Sequence, residues 1–508
     1  MANDESREGA PVASGKIVCV LVHRQSSFGD ENPELVAEAL KRIQAVFRDV
    51  PVYSNRMVSA SVAEGREINL VSGNLTACAR KALEAQGTDA QDSIAILREW
   101  HPLLDAEPLA EALASHARYL AHYTYSENLP PGLVPDFASL EFLRLLGDKE
   151  PDDLRAFAYK NINDYDVELY YRLPDLRQYR LDLTCASSRS RRLATDMLER
   201  GATFAKLEGM LQEAPELLRP LPSYFEIELT TRSSIRPVFA PRPGGDSDSA
   251  ESEDLEASLV HKLLNELEAH GLEQDATIAL GGRGEPLEHP EIASLLKSCL
   301  ASNRVARVYL ETWGPGLDGD FLDGIASAPG IEKLHIIFRL TTLKPERYEE
   351  LYGADRLPEV LGNLEALERR SESERPFSVY AEMLKIKDVE DEITAYFDRF
   401  EESPVQVILQ KFNSYIGRVP ERRVSDLTPL HREFCWHLAR DFFLTAGGRV
   451  PLCKQDPFAE KQAADFRAAS LLDIRAQTMD AHIASVRGEH ERIPMPCLQC
   501  DEWYTFNG

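Results

Sequence analysis

A chain of 508 residues is long enough for two to four domains of the usual ~100–200 residues. Its 84 acidic and 57 basic side chains leave a formal charge of −27, a surface that repels phosphate backbones and anionic lipid and argues against nucleic acid or membrane as a partner. Residues 1–15 are polar and acidic, unlike a signal or transit peptide, and no apolar run approaches the ~20 residues of a spanning helix. The expectation is a cytoplasmic protein with a disordered N-terminus, in which the eight cysteines are thiols or metal ligands rather than disulfides.

Ordered structure is expected to begin with the apolar run Ile17-Val18-Cys19-Val20-Leu21-Val22. A helix follows, with Leu35, Val36, Ala39, Leu40, Ile43 and Val46 at helical spacing. Further strands are predicted at Val52-Tyr53, at Ile94-Ala95-Ile96-Leu97 and last at Tyr179-Arg180-Leu181-Asp182-Leu183. Strands alternating with helices predict a parallel α/β sheet over residues 16–205.

The middle of the chain, residues 220–412, carries six strand signals, at 225–231, 277–280, 305–311, 334–340, 378–384 and 405–409. The gaps hold a helix and two loops each, as βα units require. One such helix has Leu259, Val260, Leu263, Leu264 and Leu267 on one face and Gly271 as its stop. Six units predict a partial (β/α)6 barrel, with an open doubly wound sheet as the alternative. The stretch 244–254, acidic and without large apolar residues, reads as a mobile loop.

Four cysteines fall near the C-terminus: Cys435, Cys453, Cys497 and Cys500. The others, Cys19, Cys78, Cys185 and Cys299, sit in apolar or helical context and read as buried small hydrophobes. Phe442-Phe443-Leu444 and Val450-Pro451-Leu452-Cys453 flank Gly447-Gly448, a hairpin signal that would return Cys453 toward Cys435. The loop Cys497-Leu498-Gln499-Cys500 can present two thiolates to one centre. Four thiolates saturate one tetrahedral zinc or one four-iron cluster. Composition does not choose between them, although a zinc ribbon usually brings two close Cys-x-x-Cys pairs and this tail has one. Reduced, unliganded thiols are the plain alternative; a thioredoxin-type pair lacks its βαβ surroundings.

Residues Gln410-Lys411-Phe412-Asn413, the stretch 422–430, Cys435-Trp436-His437-Leu438, Gly448-x-x-x-x-Cys453 and Cys497-x-x-Cys500 together resemble a SPASM domain, here 413–508. With the preceding regions the chain from residue 16 onward is similar to the spirochaetal SPASM-domain proteins, or spiro-SPASM. The resemblance implies that Cys435, Cys453, Cys497 and Cys500 ligate one 4Fe-4S cluster, with zinc as the alternative. It also implies a radical-SAM-type barrel at 220–412. There the strand-end run from Leu229 to Pro241 looks like the Cys-x-x-x-Cys-x-x-Cys signature with Ser233, Pro237 and Ala240 at the three cysteine positions. Proline and alanine offer no ligand atom, so the radical-generating cluster should not form.

The run Gly281-Gly282-Arg283-Gly284-Glu285-Pro286 looks like the region that meets the amino group of S-adenosylmethionine (SAM) in that superfamily. Gly281, Gly282 and Gly284 would let the backbone approach the ligand and Glu285 would accept from its ammonium; the other reading is a glycine turn into the next helix. Without the cluster that anchors it, SAM would bind weakly or in an altered way. The N-terminal region is similar to nucleotidyltransferases, with Trp100 at the place of a magnesium-holding aspartate and His23-Arg24-Gln25-Ser26-Ser27-Phe28 in place of a triphosphate loop. An indole cannot bind a hard cation; Asp105 would substitute as a carboxylate or merely cap a helix.

These readings lead to a non-radical iron–sulfur protein with a redox, sensing or partner-binding role, a protein or peptide being the expected partner. The alternatives are a radical-SAM-type enzyme that modifies a peptide or protein through an unorthodox or partner-supplied cluster, and a nucleotidyltransferase acting on a sugar-like substrate. Whether the chain is an enzyme is left open.

Overall fold

The computed structural model describes residues 16–25, 32–63, 66–242, 252–461, 463–494 and 497–505. The expected disordered segment 1–15 and most of the expected mobile loop, 244–251, lie outside the described residues. The chain divides into two compact units, Met1–Leu217 and Leu218–Gly508.

The first unit is built on a seven-stranded sheet: β1 (Ile17–His23), β2 (Val52–Ser54), β3 (Ile68–Leu70), β4 (Ser93–Arg98), β5 (Tyr123–Ser126), β6 (Asp136–Ser139) and β7 (Val167–Tyr170), in the order β3-β2-β1-β4-β6-β5-β7. It is mixed rather than parallel, because β6 runs antiparallel to both β4 and β5. The reason is length: a parallel crossover needs about a dozen residues or more, and the link 127–135 is too short to carry one. The strand expected at 179–183 does not form. Arg177–Tyr179 is a 3-10 turn, Arg180 takes a left-handed conformation, and the chain then crosses to Pro131, whose carbonyl accepts from the Leu183 amide. Cys19 and Cys78 are wholly buried among Leu21, Leu83, Ile96 and Phe142.

In the second unit all six expected strands form: β8 (Tyr224–Glu228), β9 (Ala276–Gly281), β10 (Val305–Thr312), β11 (Leu334–Arg339), β12 (Ser378–Lys385) and β13 (Gln406–Lys411). They pair in parallel in chain order, and a seventh strand, β14 (Asp441–Leu444), joins the far edge parallel to β8. The hairpin expected around Gly447-Gly448 is thereby corrected. The turn exists, with Gly448 at φ +76, but β15 (Arg449–Val450) pairs with β16 (Ala464–Asp465), while β14 satisfies its ladder on β8. The cysteine-bearing tail thus contributes a strand to the same sheet and Val450, Phe466, Leu471 and Ile474 to the same core.

Alternate residues of each strand face opposite ways. One face presents Phe225, Ile227, Ile278, Leu280, Val308, Leu310, Ile336 and Phe338 to the crossover helices. The other is polar and lines a cavity of about 380 Å³ reached by Glu226 of β8, Glu311 of β10, Arg339 of β11, Glu382 of β12 and Gln410 of β13. In a flat sheet β8 and β13 would stand about 24 Å apart, five spacings of ~4.8 Å. That both line one small cavity means the sheet curls around it.

Candidate metal centre and the adjoining cavity

The strand-end loop after β8 satisfies itself. The Ser233 hydroxyl donates to the Ile235 carbonyl at 2.6 Å, the Ser234 amide donates to Glu288 at 2.6 Å, and the amides of Arg236 and Val238 donate to the carbonyls of Tyr352 and Leu351 at 2.9 Å. Phe239, between the positions of Pro237 and Ala240, lies edge-on to Tyr352 at 5.4 Å and against Trp313 at 6.2 Å. Pro237 is buried, Ser233 and Ala240 are half-buried with Ala240 lining the cavity, and no sulfur stands among them.

The glycine turn after β9 closes on the same corner. Gly282 adopts φ +97, and a Cβ there would stand 2.9 Å from both Cβ and Cγ of Glu228. Gly284 lies so near the carbonyls of Thr230 and Arg232 that any Cβ would overlap the backbone, and a Cβ on Gly281 would reach 2.8 Å from Glu311 Oε2. The close approach expected of these glycines thus serves β8, β10 and the strand-end loop. Between them Arg283 donates from Nε and Nη2 to the two oxygens of the wholly buried Glu228, at 2.6 Å each, and its own backbone N at 3.0 Å and Ala446 N at 3.1 Å complete four donors.

Glu285 is buried, and its oxygens are already engaged by Thr312 Oγ1 at 2.9 Å, Trp313 N at 2.7 Å and Leu287 N at 3.1 Å. Burial pushes its carboxyl up to about 7 against these donors, which favour the charged form. Of the four glycine-turn residues named from sequence, Gly282 alone lines the cavity.

The cavity's charged lining went unread in the sequence. Lys454 reaches Glu226 at 3.3 Å, Arg339 pairs with Glu311, and Lys411 pairs with Glu502. Burial works against the Lys454 ammonium, but Glu226 and the neighbouring tyrosines hold it above the ordinary lysine range. A signal was present: Glu226, Glu228, Glu311, Arg339 and Glu382 are charged residues at alternate positions of otherwise apolar strands, the pattern of a polar lumen.

Two of the four C-terminal cysteines directly precede residues at this cavity. Cys453 precedes the lumen residue Lys454, and Cys500 precedes Asp501 and Glu502, which Lys411 engages at the end of β13. Cys435 and Cys497 share an apolar cluster with Leu438, Ala481, Ala484, Ile493 and Trp503. Burial pushes Cys435 up to about 12 and Cys500 up to about 11, and raises Cys453 and Cys497 as well. Cys435 is raised further by Cys500 and Cys497, and Cys453 by all three other thiols, so the four sulfurs are electrostatic neighbours.

Two of the sulfurs are met by backbone N–H, Gln455 N donating to Cys453 and Glu502 N to Cys500, both at 3.3 Å. Cys435 stands at the N-cap of the helix Trp436–Arg440 and makes no side-chain cap hydrogen bond there. Donors aimed at sulfur favour thiolate, the form that binds metal. Among the described residues no three His, Cys, Asp or Glu side chains are placed to hold a metal ion as they stand. Four thiols are the donor set of a thiolate-ligated group. Cys19, Cys78, Cys185 and Cys299 are wholly buried free thiols elsewhere.

In the first unit Trp100 is wholly buried under the Arg24 guanidinium, 5.9 Å from its ring. Asp105 caps the helix Ala106–Arg118, accepting from Glu107 N at 3.1 Å and Phe204 N at 2.7 Å, so its carboxylate is structurally committed. His23, Arg24 and Gln25 follow at the end of β1, and Ser26, Ser27 and Phe28 lie outside the described residues.

No family model matches the chain. An uncharacterised protein of Treponema pallidum (strain Nichols) is 26% identical over 359 residues, spanning 68% of this chain and 96% of its own. Among solved structures, Streptococcus suis SuiB bound to precursor peptide SuiA is 12% identical with a TM-score of 0.42, over 71% of this chain and 80% of its own. BtrN in complex with AdoMet and 2-DOIA is 14% identical with a TM-score of 0.38, over 56% and 97%. AdoMet-bound anSMEcpe is 10% identical with a TM-score of 0.39, over 55% and 87%. No helix among the described residues is long and apolar enough to cross a membrane.

Proposed function

We propose that Cys435, Cys453, Cys497 and Cys500 hold one 4Fe-4S cluster, and that the chain is a non-radical iron–sulfur protein of the SPASM kind, acting in redox, sensing or recognition of a protein or peptide. The observation that carries this reading is the contrast between two places in one unit. Four thiols withdrawn from water lie in the C-terminal part of the chain, two of them met by backbone donors, whereas the strand-end loop that would hold a radical-generating cluster carries no sulfur. Such a cluster supplies one-electron exchange or a rigid cross-link between distant parts of the chain. The protein's part is to exclude water through Leu438, Ile493 and Trp503 and to stabilise thiolate with its amides. Tetrahedral zinc would hold the four sulfurs about 3.8 Å apart, from a Zn–S length of ~2.3 Å.

The test is iron, acid-labile sulfide and zinc content of anaerobically purified protein beside a Cys497→Ser/Cys500→Ser variant. About four irons and four sulfides per chain, lost in the variant, are expected. Stoichiometric zinc without sulfide would reject the cluster.

A further inference from the structure

We propose that the cavity enclosed by β8 to β13 binds a small organic cation, a primary amine or guanidine, whose charged head sits on Glu382. At about 380 Å³ the cavity falls at the small end of the ~300–1,000 Å³ usual for ligand pockets, so it suits a metabolite-sized guest rather than a polypeptide segment. Its other charged side chains are already committed within the protein. Glu226 holds Lys454 at 3.3 Å and Glu311 holds Arg339, which also donates to the Gly282 carbonyl at 3.0 Å and lies 5.1 Å from the Trp313 ring. Lys411 is spent on Glu502 and on the Asp501 carbonyl at 3.3 Å.

Glu382 differs: its carboxylate lines the cavity with no hydrogen bond or ion pair to any described group, although Arg339 and Lys454 are near enough to be felt. Glu382 is half-buried, and a carboxylate partly withdrawn from water without a partner gains when a ligand supplies the missing donor. An anionic guest would meet this carboxylate while finding both nearby cations neutralised. A cationic guest completes the pairing, and Tyr309, Tyr415, Ile337, Leu384 and Ile408 give its body aromatic and aliphatic walls. The inference does not depend on what the cysteines bind.

The probes are cadaverine and agmatine, with glutarate as the anionic control, read by thermal shift and tryptophan fluorescence on the full chain. The cations are expected to bind at millimolar concentration or below and glutarate not to bind. Glu382→Gln, which preserves shape, should weaken the cations by about ten- to hundredfold, the value of one charge-assisted hydrogen bond. Ile408→Phe, which fills the cavity and leaves the carboxylate in place, should also weaken them. Equal binding of glutarate, unchanged cation affinity in Glu382→Gln, or no response to either cation would overturn the assignment.

Discussion

Stripping metal from the four-cysteine site should leave a protein that loses stability steeply in mild alkali, while the loaded protein does not. In the metal-free fold Cys435 is pushed up to about 12 and Cys500 up to about 11, against an ordinary thiol value of 9.0 in the unfolded chain. Stability carried by a raised group is fully present below its unfolded value and is lost as pH rises through its folded one. Between pH 9 and 11 the unfolded chain has released both protons and the folded chain has not. The free energy of unfolding therefore falls by about 1.4 kcal/mol per pH unit per thiol. Two thiols over two units amount to roughly 5 kcal/mol, comparable with the whole stability of many domains. Cys19, Cys185 and Cys299 are pushed up to about 12 in either form, so they cancel in the comparison. In the loaded protein the four sulfurs are already thiolate and their protons leave on binding instead. Denaturant titrations from pH 8 to 11, on loaded and chelator-treated protein, should diverge as pH rises above 9. Parallel curves would refute the assignment of the metal to these thiols.

Glu285→Gln keeps the side chain's shape but turns an amide toward the Trp313 N–H, two donors face to face, and should cost about 1–3 kcal/mol in a thermal or denaturant melt. Unchanged stability would mean that the carboxylate is free to serve a ligand. Arg283→Met leaves the buried Glu228 charge unpaired and should cost about 3–5 kcal/mol, much of it regained in the Glu228→Gln/Arg283→Met double variant, as a double-mutant cycle would measure. Incubation with SAM and a strong reductant should release no deoxyadenosine, because Ser233, Pro237 and Ala240 supply no thiolate; chromatographic detection of that product would restore the radical reading.

Local pattern announced burial more reliably than it announced partners. The six strands of the second sheet were legible because most of them place apolar side chains at alternate positions facing helices. The seventh was read as a hairpin arm, since nothing within Asp441–Leu444 says that its hydrogen bonds go to β8, some two hundred residues earlier. β6 escaped notice altogether: Asp136-Phe137-Ala138-Ser139 shows neither alternation nor an apolar run, and its antiparallel direction follows from the short link before it. The lumen charges were visible as residues yet mute about purpose until β8 and β13 were seen to line one cavity.

The glycine turn carries the same lesson further. Its likeness to a SAM-binding region invites the inference that a cosubstrate maintained it. Yet Gly282 must clear Glu228, Gly284 must clear the carbonyls of Thr230 and Arg232, and Glu285 fastens the turn to Thr312 and Trp313. Each residue would be required to join β9 to its neighbours if no cosubstrate ever bound, so the motif's presence cannot count as support for SAM. The cysteines stand differently. No described strand or turn needs these four thiols, and burial raises the cost of ionising every one of them. A feature that the fold does not need, with backbone donors pointed at two of its sulfurs, is where the argument for a retained function belongs.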